Sequence, residues 1–403
     1  MEMKKVFTAF LALSVGLVSC NKSDDLLSQE DGKTRTVTLT VDSNVLTRAL
    51  AQEVEDGRAV TFEDGYIYFV NVTGQITDYF MISATGDTQP LTNGQNVAIA
   101  DIKNSNEIQF TVSETAKAIH VFGNIGTTVN ALPAANGNIS TVMDIVTTLR
   151  SQSDTDGRVE NVHLYGSGSI TEVIGLLEPE YTSYVEISPI TSRIELAKVS
   201  AKNNAGGGTI TAYTLDGIFL NYFYGESDLI GSVNINDFVA YTSRDDFSQY
   251  GTPWYNLAYK GLTYDWEANG RIATTTSLSS VPNQNLTNPA SNANVWGYNV
   301  FESEGVDYLP HLIVKFTGVT GTTSAGVALD AAQDYYVTVK RYHVNGVRVE
   351  KFDRGYVYHI EDLEFTADNL KDVGEWSDDD ITVGVTMKVL DWKQQVLDTP
   401  ELD

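Results

Sequence analysis

Apolar and polar side chains alternate one for one in "TRTVTLTVD". Val37, Leu39 and Val41 fall on one side, and Thr36, Thr38 and Thr40 on the other. A period of two is the signature of a β-strand with one face on a core. The same pattern returns near the far end, where Ile381, Val383, Val385, Met387 and Val389 alternate with Thr382, Gly384, Thr386 and Lys388. Strand-like segments fill much of the chain between them, and long helical periods are scarce. The expected fold class is therefore all-β, with one or two short helices.

"TFEDGYIYFVNVTGQITDYFMIS" reads as two strands around the turn Val72–Gln75, apolar on both faces as in a sandwich core. "NEIQFTVS", "KAIHVFGNI" and "VHLYGSGSI" are further strands. "STVMDIVTTLRSQ" is the clearest helical pattern, with Val142, Ile145, Val146 and Leu149 on one face and Ser140 or Thr141 as N-cap. "EPEYTSYVEISPIT" brackets a short strand with two prolines, and a domain boundary is expected there, dividing 49–186 from 187–403. Beyond it, "SRIELAKVSAK", "LPHLIVKFTGV", "DYYVTVKRYHV" and "GYVYHIEDLEFTA" are strands.

The N-terminus has the layout of a secretory signal: Lys4 and Lys5, an apolar run from Val6 to Val18, then "LVSC". Small residues ahead of a cysteine resemble the lipobox of bacterial lipoproteins, and the single Cys of the chain, Cys20, stands at that position. The expectation is a signal over 1–20, lipidation of Cys20 and anchorage to an outer membrane. Residues 21–48 then comprise a polar tether and the Val37–Val41 strand.

The chain carries 26 Lys and Arg against 53 Asp and Glu, a net charge of −27. A surface this acidic repels phosphate backbones, so nucleic acid is excluded as a partner. The five histidines have no metal-ligand spacing, and no cofactor or metal site is expected. Gly166-Ser167-Gly168 lacks the rest of a phosphate loop, and Asp154-Thr155-Asp156-Gly157 opens like a calcium loop without its closing acid. No nucleophile elbow or isolated carboxylate pair marks a catalytic centre, so the chain reads as a non-enzyme. Aromatic residues crowd the stretch from Tyr241 to Trp266. If exposed, Trp254, Tyr255, Tyr259 and Trp266 could stack on a sugar or another protein; otherwise they fold onto their own domain.

In their order and spacing, "LVSC", the early strand followed by Arg48-Ala49, "TSRIELAKVSA", "LPHLIVKFTGV" and the closing "ITVGVTMKVLDW" resemble the fimbrillins, type V pilus subunits of Gram-negative gut and oral anaerobes. The resemblance implies two tandem transthyretin-like Greek-key β-sandwich domains. It also implies an outer-membrane lipoprotein precursor that becomes a cell-surface fimbrium supporting adhesion. A trypsin-like Arg-specific protease would cut between Arg48 and Ala49, releasing the strand of Val37, Leu39 and Val41. The strand of Ile381, Val383, Val385, Met387 and Val389 would be the donor to another pilus subunit, in a homopolymer or with minor pilins. Its polar tail, "KQQVLDTPELD", departs from the apolar ending of a strong donor.

Strand loss leaves unpaired backbone groups and an apolar groove, which another chain can fill by strand addition. The alternative is an uncleaved surface lipoprotein, held through Cys20, that acts as a pilus anchor or as an adhesin for a host glycan or protein.

Overall fold

A computed structural model describes residues 33–42, 62–126, 136–149, 162–176, 179–196, 198–203, 206–240, 276–277, 283–285, 296–344, 346–372 and 384–391. By contact the chain divides into Met1–Lys33 and Thr34–Asp403; every element below lies in the second unit. The fold is all-β.

In chain order the first half contains β1 (Thr34–Asp42), β2 (Gly65–Val70), β3 (Ile76–Ser83), β4 (Leu91–Thr92), β5 (Asn96–Ala98), β6 (Glu107–Ser113), β7 (Ala118–Gly123), β8 (Val146–Thr148), β9 (Leu164–Ser169), β10 (Thr171–Val173), β11 (Glu180–Glu186) and β12 (Ser188–Pro189). One sheet has the order β10-β11-β1-β6-β4 and the other β12-β9-β7-β2-β3-β5. Alternation drives their inner faces together: Val37, Leu39 and Val41 share a buried cluster with Ile67, Phe69, Phe80, Phe110 and Val121. Phe69, Phe80 and Phe110 form its aromatic centre, with ring centroids 4.5–5.6 Å apart. β2 is apolar on both faces because it serves two cores. Ile67 and Phe69 face the first, while Tyr68 and Val70 join a second cluster that continues into the other half.

The second half contains β13 (Thr191–Leu196), β14 (Lys198–Ala201), β15 (Thr209–Asn221), β16 (Phe223–Tyr224), β17 (Glu226–Asp228), β18 (Phe238–Val239), β19 (Thr276–Ser277), β20 (Asn283–Asn285), β21 (Trp296–Phe301), β22 (His311–Thr322), β23 (Tyr335–Val339), β24 (His343–Val344), β25 (Val347–Arg348), β26 (Tyr356–Phe365) and β27 (Gly384–Asp391). β13 and β14 both run parallel to β26 and pair on their other side with β21 and β20. β27 pairs antiparallel with β26. The facing sheet is β19-β15-β22-β23.

The two halves follow one wiring plan. β11-β1-β6 corresponds to β26, then β13 and β14, then β21 and β20; β9-β7-β2-β3 corresponds to β23-β22-β15-β19. In each half the first strand inserts between later ones and runs parallel to a late strand, β11 in one and β26 in the other. The first half's sheets run as far as Ser188–Pro189, and the second half's begin at Thr191.

Two short α-helices are present among the described residues, α1 (Ile99–Lys103) and α2 (Ser140–Met143). The longer helix expected from Ser140 onward does not form. Asn138, not Ser140 or Thr141, organises its start, accepting the Ser140 N–H on Oδ1 at 3.0 Å. The β-branched run Val146-Thr147-Thr148 then turns into strand β8, which pairs antiparallel with β17 of the second half. Val146, expected on the buried face, is 60% exposed. Its apolar spacing with Val142 and Leu149 mimicked a helical stripe.

Candidate functional site

β1 sits inside its sheet, not at an edge. Six residues, Val37 to Asp42, pair in parallel with Tyr181 to Glu186 of β11. Seven, Thr34 to Thr40, pair antiparallel with Ser113 back to Glu107 of β6. Val37, Leu39 and Val41 are fully buried, while Thr36 on the other face is exposed. At about 1.5–3 kcal/mol for each buried aliphatic side chain, these three make β1 a strongly held plug. Without it, the facing edges of β6 and β11 would carry unpaired N–H and C=O groups beside a groove walled by Phe110 and Val185.

The ends of β1 are held differently. At its start Thr34, Arg35 and Thr36 pair with β6 alone. Arg35 shares the inward parity of the three buried apolar residues. Its guanidinium lies 4.1 Å from the centroid of the Tyr181 ring and donates from Nη2 to the Ala116 carbonyl. At its end Val41 and Asp42 pair with β11 alone. The Asp42 carbonyl accepts the Ile187 N–H at 3.2 Å, and its carboxylate accepts the hydroxyl of the exposed Tyr184. That hydrogen bond, with smaller help from desolvation and nearby carboxylates, pushes the Tyr184 hydroxyl up to about 12. Neither clasp was legible in the sequence, because Tyr181, Tyr184 and Ala116 reach β1 only through long-range pairing. The one available signal was that Arg35 falls in step with Val37, Leu39 and Val41.

Glycine shapes the wall beside β11. Gly166 and Gly168 lie in β9, and a Cβ on either would stand 2.2 or 2.3 Å from the carbonyl oxygens of Glu186 or Tyr184. The missing side chains let the second sheet close against the backbone of β11.

In the second half, Val385, Met387 and Val389 lie in β27, opposite Leu363, Ile360 and Tyr358 of β26. This strand is docked on its own chain, and the structure does not bring it to β1. Cys20, Arg48, Ala49, Ile381, Val383, Trp254, Tyr255, Tyr259 and Trp266 lie outside the described residues, as do the acidic turns near 154–157 and 378–380.

Among the described residues, no group of three or more His, Cys, Asp or Glu side chains could hold a metal ion. A cleft of about 690 Å³ opens beside Tyr165, Gly231, Glu302, Lys351 and Arg354. Its charges are already engaged. Lys351 pairs with Glu302 at 3.2 Å and with Asp353, and Arg354 donates to the Ile230 carbonyl. His120 and His311 sit in strands as expected. His120 Nδ1 is 2.9 Å from the Tyr165 hydroxyl, and His311 stacks on Tyr222 with centroids 4.0 Å apart.

No family model matches the sequence, and no curated protein matches it. Solved structures do align with it across nearly their whole length. A protein from Bacteroides eggerthii assigned to cell adhesion is 16% identical, covering 90% of this chain and 97% of that one at a TM-score of 0.47. A fimbrial assembly protein from Parabacteroides distasonis is 11% identical, covering 87% and 98% at 0.39. The fimbrial anchor protein Mfa2 from Porphyromonas gingivalis is 11% identical, covering 89% and 98% at 0.34.

Proposed function

We propose that this protein is a fimbrillin, a non-catalytic structural subunit of a type V pilus that assembles by strand exchange after proteolysis. The observation that carries this reading is the position of β1: an N-terminal strand at the centre of a sheet, with three fully buried apolar residues and with Arg48-Ala49 shortly after it in the sequence. A strand placed there cannot leave without opening a groove flanked by two unsatisfied edges, and such a groove is filled by another strand.

In this scheme the precursor is exported under the signal 1–20, lipidated on Cys20 and displayed on the outer membrane. β1 plugs the first of two sandwich domains, 49–186 and 187–403, and keeps the molecule monomeric. An Arg-specific protease cuts after Arg48, β1 departs, and the strand bearing Ile381, Val383, Val385, Met387 and Val389 from another subunit fills the vacancy. Arg35 is a poor alternative site, because its side chain is held inside the fold against Tyr181 and Ala116.

Arg48→Ala tests this directly. The variant is expected to reach the surface as a monomer with lipidated Cys20 as its first residue, whereas the mature wild-type subunit begins at Ala49. Normal fibres from Arg48→Ala would overturn the assignment.

One observation favours a second reading. β27 pairs with β26 along its whole length, so a chain that never gives up this strand would remain a surface-anchored fimbrial anchor or adhesin for a glycan or protein. A mature surface form that retains residues 21–48 would decide for it.

A further inference from the structure

We propose that Arg35 is the retention residue of β1, so that the strand opens from its Val41–Asp42 end and stays longest at its Arg35 end. The proposal rests on the strand-exchange reading and adds the order of events at the same site.

The two ends of β1 differ in what holds them. The start is bound through β6, and Arg35 adds a charged hydrogen bond to the Ala116 carbonyl and a cation over the Tyr181 ring. Both contacts are partly shielded from water, where such contacts are worth more than at an open surface. Arg35 also ties three parts of the fold together: β1 itself, β11 through Tyr181, and the β6–β7 turn through Ala116. The far end is bound through β11, and the Tyr184–Asp42 hydrogen bond there is made by a tyrosine 57% exposed. Water competes for that bond, so it holds weakly.

Chain connectivity points the same way. Arg48 follows the Asp42 end by six residues, so proteolysis frees the end that is already weaker. An incoming strand would first meet β11 at Val185–Glu186 and advance toward Tyr181, displacing β1 a pair at a time. Displacement then finishes at Arg35. The candidate donor has no cation among its five alternating apolar positions, Ile381 to Val389. The Tyr181–Ala116 site is therefore a guanidinium site that the precursor fills and this donor leaves empty. It adds to retention of β1 without adding to retention of its replacement.

Hydrogen–deuterium exchange on the intact, uncut full chain tests this. After correction for intrinsic rates, amides of Asp42 and Val185 are expected to exchange about tenfold faster than those of Val37 and Val112. Arg35→Ala should raise exchange at the slow end about tenfold and level the gradient, while Tyr184→Phe should affect only the fast end. Tyr181→Leu removes the ring but keeps the arginine, and should level the gradient in part; it carries the test if Arg35→Ala does not fold. Equal rates along wild-type β1, or a gradient unchanged in the folded Arg35 or Tyr181 variant, would overturn the proposal. Fibre formation is a separate readout: a gradient that depends on Arg35, in a protein that never polymerises, supports the retention role and removes only the strand-exchange reading.

Discussion

The Gly166 Cα faces the Glu186 carbonyl so closely that a Cβ would lie 2.2 Å from the oxygen. Backbone, not a movable side chain, is the obstacle. Gly166→Ala should therefore separate β9 from β11 and cost about 2 kcal/mol or more. Ser167→Ala, at the exposed position between the two glycines, should change stability by less than about 0.5 kcal/mol. Urea unfolding of the two variants makes the comparison.

Leu39 is the central buried residue of β1, and Leu39→Ala should lower the stability of the uncut protein by about 2–5 kcal/mol through lost transfer energy and a residual cavity. Thr38→Ala, which alters the other face, should be nearly silent. A precursor whose stability does not respond to Leu39→Ala would mean that β1 contributes little to the fold.

His163 is buried, and desolvation holds its imidazole down to about 4. A histidine depressed in the folded state takes up protons more readily when unfolded. Its contribution is intact above about pH 6.5 and declines as pH falls toward 4, by at most about 3 kcal/mol. The slope of unfolding free energy against pH in that window should shrink in His163→Gln. An unchanged slope would show that the group charges without penalty.

Tyr184 titrates on the alkaline side. Its pKa is raised toward about 12 by the hydrogen bond to Asp42, so the tie between β11 and β1 is present below pH 10 and fades as pH rises through 12. The phenolate difference spectrum between wild type and Tyr184→Phe should show that midpoint. In an Asp42→Asn background the midpoint should fall toward 10, and a value near 10 in the wild type would deny the hydrogen bond.

β1 was legible in the sequence because its period of two is a local property that a single buried face imposes. The same holds for β2 and β3, where the turn ends on Gly74 at a positive φ of 78°. The stretch after Ser140 reads as helix because Val142, Val146 and Leu149 satisfy a helical spacing, while the deciding partner, Glu226–Asp228, lies some eighty residues away. The shared wiring of the halves was hidden for a related reason. Pairing order is non-local, and "TRTVTLTVD" and "SRIELAKVSA" have little in common beyond an early arginine and alternating apolar residues. The clasps at Arg35 and Asp42 depend on the same long-range register.

β13 is the counterpart of β1 in the second half, but its covalent situation is different. It follows Pro189 and Ile190 directly and leads on toward β14 and β15, so a cut on either side leaves it attached on the other. β1 is joined to the strands that follow it through 43–61 alone. Under the strand-exchange proposal, one proteolytic event would unseat the first strand of one half and not of the other. Each molecule would then offer a single socket, and an assembly made through it would grow end to end without branching.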